Sequence, residues 1–378
     1  MDRAMRAAAL SDFGPGIFRE GLAVLLASLA DDAKLPPEGQ AQTIALVERR
    51  LVNRLRIQDW YARHPELETQ EVSGPVVVMG LTRTGSTALG NMLSLDPQFR
   101  SLRGWEQAQP VPPPIAGEEE HDPRRMAHQA EIDRIYREDP LTAAQHIHEV
   151  DASVEDTEVL GLEFAAQQMT LPVWQYFEWW RERDMAPVFA YHRRVTQLLQ
   201  SRRPPSLWLF KAPHHKFHLD ALIAAYPNAR FVMTHRDPAK VIPSYTSLVT
   251  NVWPKGTAER HDMAVAGTQV HRHLLRGMEK ALASRDRIGE DRFVDVHHTD
   301  LNRDPLGTLA RIYDFLGMEL TEDMKASVIR WLGKHRSGAH GEHRYTAEQF
   351  GLTDAQIRED FGFYIDRFGI DAGNKRGH

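Results

Sequence analysis

Pro75-Val-Val-Val-Met-Gly80 runs without interruption into Leu81-Thr-Arg-Thr-Gly-Ser-Thr87. The first piece has the unbroken apolar character of a strand covered on both faces. The second is a loop framed by Gly80 and Gly85, whose amides and hydroxyls are able to surround a phosphate-like anion. Its spacing follows the phosphate-cradle pattern G-x-x-x-x-G-K-[ST] at Gly80, Gly85 and Thr87. Ser86, however, stands where the lysine that reaches the far phosphates of a nucleoside triphosphate belongs, which argues against ATP hydrolysis. Arg83 places a positive charge inside the loop instead, beside the terminal group of an activated nucleotide.

Working outward, three further apolar runs read as buried strands: Leu207 to Lys211, Arg230 to Thr234, and Arg292 to Val296. With the run from Val76 to Leu81 they alternate with helix-like segments. This predicts an α/β fold, a P-loop-like, mostly parallel sheet flanked by helices, with ligands at the carboxyl ends of the strands. The expected organisation is a single domain over 1–378. It comprises an N-terminal helical segment (1–70), a nucleotide-binding core (75–104 and 206–320), a large helical insertion (105–205), and a C-terminal helical segment with a closing loop (321–378). In the N-terminal segment Ile44, Val47, Leu51 and Leu55 form a packing stripe. Arg49, Arg50, Arg54 and Arg56 fall mostly off it and read as a solvated face. The prolines at 110 and 112–114 make a stiff, extended connection. The insertion's aromatics, Trp174, Tyr176, Phe177, Trp179 and Trp180, are assigned to an acceptor pocket.

Composition narrows the function classes. The 378 residues contain no cysteine, which excludes disulfides, thiolate catalysis and cysteine-ligated metals. A net charge of −6 argues against general nucleic-acid binding. No window has the roughly 20 apolar residues of a membrane span, and the N-terminus lacks a cleavage pattern, so a cytoplasmic protein is expected. His214 and His218, four apart, and the pair His340 and His343 are the metal-like spacings. They lack the glutamate of H-E-x-x-H, and no metal is expected. Asp151, Glu155, Asp156, Glu158 and Glu163 read as a polar helix face. Oligomeric state is not legible.

A second anion site is predicted at Arg236, just past a strand, with Asp237-Pro238 opening a helix and Ser244 two turns along it. Together, the two segments resemble the PAPS-dependent sulfotransferases of the bacterial and protein-tyrosine type, which share an R-[ST]-G-[ST]-T loop. The resemblance implies that Arg83, Thr84, Gly85, Ser86 and Thr87 hold the 5′-phosphosulfate of 3′-phosphoadenosine 5′-phosphosulfate (PAPS). Arg236 and Ser244 would take its 3′-phosphate, and the product would be adenosine 3′,5′-bisphosphate (PAP). Val296-His-His-Thr-Asp-Leu301 resembles the family's Y-E-D-L segment, with His298 in place of the tyrosine near the adenine. Thr82 stands where relatives usually carry proline. The family often closes its cofactor site with a late basic loop, here 334–345, from which Arg344 is the candidate.

Sulfonate transfer needs an in-line acceptor, a base, and cations over the sulfonate and leaving phosphate. By resemblance, Arg83 and Lys211 are the cations. Glu106 is the preferred base, its pKa expected to be raised by partial burial against Trp105, and His214 is the competitor. The acceptor is a small molecule, lipid or glycoside bearing a hydroxyl or amine. Two other readings stay open: an ATP-dependent kinase of the P-loop group, and a nucleotide-binding regulatory protein without turnover.

Overall fold

The computed structural model describes residues 1–138, 149–166, 169–335 and 345–371. Five strands form one sheet in the order β2-β3-β1-β4-β5. They are β1 (Val76–Gly80), β2 (Phe99–Ser101), β3 (Leu207–Lys211), β4 (Arg230–His235) and β5 (Phe293–His297). Every pairing is parallel. The four predicted strands are present, Leu207–Lys211 with the predicted bounds and the other three with ends shifted by a residue. The unpredicted β2 is a three-residue edge strand (Phe-Arg-Ser) carrying two polar side chains, too short and too polar to show an apolar run.

Strand alternation explains why β1 reads as continuous apolar sequence. Val77 and Met79 pack into the larger core on one face of the sheet. Val76 and Val78 pack into a second core on the other, with Val232 of β4 and Val296 of β5. At about 25 cal/mol per Å² of apolar surface, burial on both sides stabilises this central strand.

Register decides where the loops emerge. Gly80 is paired with Thr234, His235 with His297, and Val78 with Lys211. The segments that follow β1, β3, β4 and β5 therefore leave from the same end of the sheet. Gly80 permits the closest of these approaches, since it sits at φ +140° and a Cβ there would lie 2.4 Å from the Thr234 carbonyl oxygen.

In the N-terminal helix Pro37–Arg63 the predicted stripe holds for Leu51 and Leu55, which are buried, and for partly buried Val47, whereas Ile44 is 47% exposed; the charges also depart from the prediction. Arg50 and Arg54 are buried, not solvated. Arg54 pairs with Glu163 at 2.5 Å, both fully inaccessible, and its guanidinium lies over the rings of Phe18 and Tyr191. Arg50 pairs with Glu158 at 2.8 Å. The acidic run is likewise no polar helix face: Asp156 and Glu163 are buried, and only Thr157–Gly161 is helical there.

The insertion's aromatics are core, not pocket. Tyr176, Phe177 and Trp180 are buried. Trp180 packs edge-on to Phe217 and donates its indole N–H to the Ala165 carbonyl at 2.7 Å. A helix carrying this many rings buries them where the largest apolar area is removed from water.

Removing one member of a fully buried ion pair strands its partner's charge. Glu163→Ala should lower the unfolding free energy in urea by about 3–5 kcal/mol. Asp59→Ala, which breaks an exposed pair with Arg63, should change it by less than about 1 kcal/mol. Equal effects would contradict this account.

Candidate active site

At the shared strand ends lies a cavity of about 530 Å³. The loop after β1 contributes Thr82, Arg83, Gly85, Ser86 and Thr87 to its wall, and the other strand ends contribute His214, Arg236 and His298. Sequence segments more than 200 residues apart meet because the strands between them run parallel and in register.

The loop is shaped by Gly80, Gly85 at φ +89° and Arg83 at φ +60°, a left-handed conformation that arginine rarely adopts. Gly85 caps the helix Ser86–Leu93 without any side-chain hydrogen bond, so the first-turn amides remain available to an anion. Thr82 adds a buried hydroxyl with no hydrogen-bond partner among the described residues. The departure from proline at this position thus brings an extra donor to the cradle. Thr84 does the opposite. Its hydroxyl donates to the Leu81 carbonyl at 2.7 Å and is 2.6 Å from Thr234 Oγ1, which ties the loop to β4. Its side chain is therefore structural, and it is absent from the cavity wall.

The two predicted anion clamps touch each other. Arg236 Nη1 donates to the Arg83 carbonyl at 2.9 Å, and Arg83 Nε donates to Ser244 Oγ at 3.3 Å. Burial, and then the Arg83 charge, lowers the pKa of Arg236. Such crowding of guanidiniums is relieved by an anion between them. Asp237 caps the helix Pro238–Asn251 by accepting from the Ala239 amide, and it pairs with Arg358 instead of Arg236. Burial, followed by the Arg236 charge, lowers His298 to about 4, so its imidazole is neutral at pH 7.

Lys211 lies just behind the wall. It is 4% exposed, its stem passes over Gly90, and its Nζ is 3.3 Å from Oε1 of Glu155, which does line the cavity. Glu106 is not brought to the site. It is wholly buried in the short helix Gly104–Ala108 and accepts from Arg100 Nη2 at 2.6 Å. A buried guanidinium at the sheet edge needs a counter-charge, and Glu106 supplies it. His214, in contrast, reaches the cavity from the 3-10 turn Pro213–Phe217 that follows β3.

The turn also separates His214 from His218, which packs against Trp180 instead of sharing a helical face with it. His214 groups with His215 and Asp156, whose donor atoms lie within 4.8 Å of one another. Arg344, His340 and His343 lie outside the described residues. Leu46, Met169, Tyr245, Leu248, Val249 and Val252 give the wall an apolar stretch, beside which Arg50, Thr157, Glu158 and Thr170 also line the cavity. Sequence reasoning missed Glu155, Asp156 and the Arg50–Glu158 pair as members of the site. Arg50 and Glu158 are 108 residues apart, and no local pattern links them.

Residues 75–323 match the model of a family described as the sulfotransferase family. Over 323 residues, 80% of this chain and 77% of the relative, the chain is 25% identical to omega-hydroxy-beta-dihydromenaquinone-9 sulfotransferase Stf3 of Mycobacterium bovis, and it matches Stf3 of Mycobacterium tuberculosis equally. Its structure is similar to sulfotransferase STF9 from Mycobacterium avium, with a TM-score of 0.89 and 29% identity over 98% of this chain and 95% of that one. It is also similar to STF1 from Mycobacterium tuberculosis H37Rv, with a TM-score of 0.85 and 29% identity over 96% and 97% of the two chains.

An anion held beside His298 favours its protonated form. In the free protein, the imidazole should titrate by NMR with a midpoint of about 4. Its folded value lies below the ordinary 6.5, so this group removes stability as the pH falls from 6.5 towards 4. Inorganic phosphate should move the midpoint upward. An unchanged midpoint at saturating phosphate would place the anion elsewhere.

Proposed function

The chain belongs to the sulfotransferase family, and from that membership we propose that it moves the sulfonate of PAPS onto a hydroxyl of an apolar acceptor, releasing PAP. The observation that carries this reading is the joined pair of arginines, Arg83 and Arg236, beside a phosphate cradle that lacks the triphosphate lysine. The uncapped amides after Gly85, the free Thr82 hydroxyl and the crowded guanidiniums all fit a donor carrying several anionic groups.

In this reading the loop amides with Ser86 and Thr87 hold the 5′-phosphosulfate, Arg236 and Ser244 hold the 3′-phosphate, and neutral His298 meets the purine. The donor supplies the sulfonate and a phosphate leaving group. Arg83 balances charge on the sulfonate, and Lys211, now neutralised by Glu155, balances the leaving oxygen as the anion displaces that carboxylate. His214 is the base. It accepts the acceptor's hydroxyl proton, the O–H electron pair forms the new O–S bond, and the old S–O pair departs on the phosphate oxygen. The apolar stretch of the wall, from Leu46 to Val252, limits the water that would otherwise compete as acceptor. Its apolar residues suit an apolar acceptor bearing a hydroxyl, and the relative Stf3 is named for omega-hydroxy-beta-dihydromenaquinone-9. No helix among the described residues is long and apolar enough to cross a membrane, so a lipid acceptor would reach the cavity without a spanning segment.

Isothermal titration should rank PAP well above ATP, whereas ATP preference would favour the kinase reading. Arg236→Ala removes charge-assisted hydrogen bonds worth about 1.5–3 kcal/mol and should weaken PAP by roughly 10- to 150-fold. His214→Ala should lower kcat by about 10²- to 10⁴-fold with PAP affinity retained. Glu106→Gln should act on thermal stability. Wild-type turnover in His214→Ala, with turnover lost in Glu106→Gln, would reverse the assignment of the base.

A further inference from the structure

Asp156 is wholly buried, directly ahead of the helix Thr157–Gly161 and next in sequence to Glu155 at the cavity wall. Its ion-pair partners among the described residues are histidines alone. His192 Nε2 is hydrogen bonded to Oδ2 at 3.0 Å, His215 Nε2 lies 2.9 Å from the same oxygen, and His214 Nε2 lies 3.0 Å from Oδ1. On its far side, His192 Nδ1 is hydrogen bonded to the Tyr226 hydroxyl at 2.7 Å, which in turn meets Thr196 Oγ1 at 3.0 Å. The chain of contacts runs from the core to the cavity and ends on His214.

A carboxylate buried this deeply is costly unless cations or donors surround it. Burial alone opposes its ionisation, yet the electrostatic influence of His215 and the contacts from His192, His214 and His215 hold the Asp156 carboxyl well below the usual carboxylate range. It is therefore an anion in the resting protein. His218 and His273 are also within electrostatic reach of His214, but burial holds both well below their ordinary value, so they stay neutral and do not oppose a charge on His214. With Nε2 facing Asp156, the His214 nitrogen not directed at the carboxylate is Nδ1. The contacts of His214 and His215 are within ion-pair distance but not aligned as hydrogen bonds. Such contacts in unliganded sites tighten as the reacting complex forms.

We infer that Asp156 is a positioning residue for the transfer: its carboxylate fixes the ring and tautomer of His214, leaving Nδ1 to take the acceptor's proton, and balances the imidazolium that results. His192 and His215 hold the carboxylate in place. Three separate segments converge to build this hub: 151–156, the helix Ala186–Gln200, and the turn after β3. The rings are arrayed around the carboxylate, the arrangement that stabilises charge on an imidazole. The inference rests on the reading of His214 as base, and the two fail in different ways.

Asp156→Asn should lower kcat on the order of 10²- to 10⁴-fold, the scale on which loss of an orienting carboxylate acts. The acceptor KM and PAP affinity should be unchanged, and the acidic limb of the kcat profile should move to lower pH because the imidazolium has lost its counter-charge. A variant that melts earlier but keeps wild-type kcat and limb overturns the inference while leaving His214 as base. A fully active His214→Ala removes the base reading and this inference with it. Should Asp156→Asn not fold, His192→Gln, which releases Oδ2, is expected to give about a tenfold fall in kcat with the same direction of limb shift, and an unmoved limb overturns the inference. One equivalent of a transition metal in the purified wild-type protein, lost in His215→Ala, would also overturn it, because the same atoms would then be ligands.

Discussion

Everything at the site depends on two neighbouring strands staying in register to their last residues. β1 and β4 pair from Val76–Arg230 through Gly80–Thr234, and the glycine's missing side chain is what lets the final pair close. A methyl group there would press on the Thr234 carbonyl, and the strands would have to separate a residue early. The loop carrying Arg83 and the turn carrying Arg236 would then leave at different heights. Instead the Arg83 carbonyl accepts from the Arg236 side chain, and the Thr84 hydroxyl ties the loop to Thr234. The loop after β1 and the turn after β4 are thereby joined into one connected surface.

Charge is distributed unusually for such a site. Among the described residues Arg83 and Arg236 have no close carboxylate partner, while the other cations in and behind the wall are neutralised one by one: Lys211 by Glu155, Arg50 by Glu158, Arg54 by Glu163 and Arg100 by Glu106. Pairing the rear cations keeps them from destabilising the core, and leaving the front pair crowded reserves their attraction for a ligand. Among the described buried carboxylates near the cavity, Asp156 alone is surrounded by imidazoles instead of a permanent cation. Its stabilisation therefore depends on groups that exchange protons, which joins the buried network to the chemistry.

The sheet was legible because its central strands are apolar on both faces and their ends carry glycine, arginine and a helix-capping aspartate at meaningful offsets. The loop at Gly80 to Thr87 and the turn at Arg236 could be read for the same reason: backbone geometry and charge lie close together in sequence. β2 was hidden by its brevity and by Arg100 and Ser101 within it. Glu106 was misread because proximity to a loop helix in sequence says nothing about depth, and it is the buried Arg100 that claims its carboxylate. Trp174 to Trp180 read as a pocket because aromatic content alone does not distinguish a cavity wall from a filled interior. The carboxylates at 155–163 were legible as charges but not as partners, since their cations lie on distant segments.

The most direct test of a single anion site at the joined strand ends is the crystal structure of the protein with PAP. The account predicts the 5′-phosphate against the amides of residues 85–87, the 3′-phosphate between Arg236 and Ser244, and the purine beside His298. A nucleotide bound away from the ends of β1 and β4, or with Arg83 and Arg236 turned into separate cavities, would contradict it.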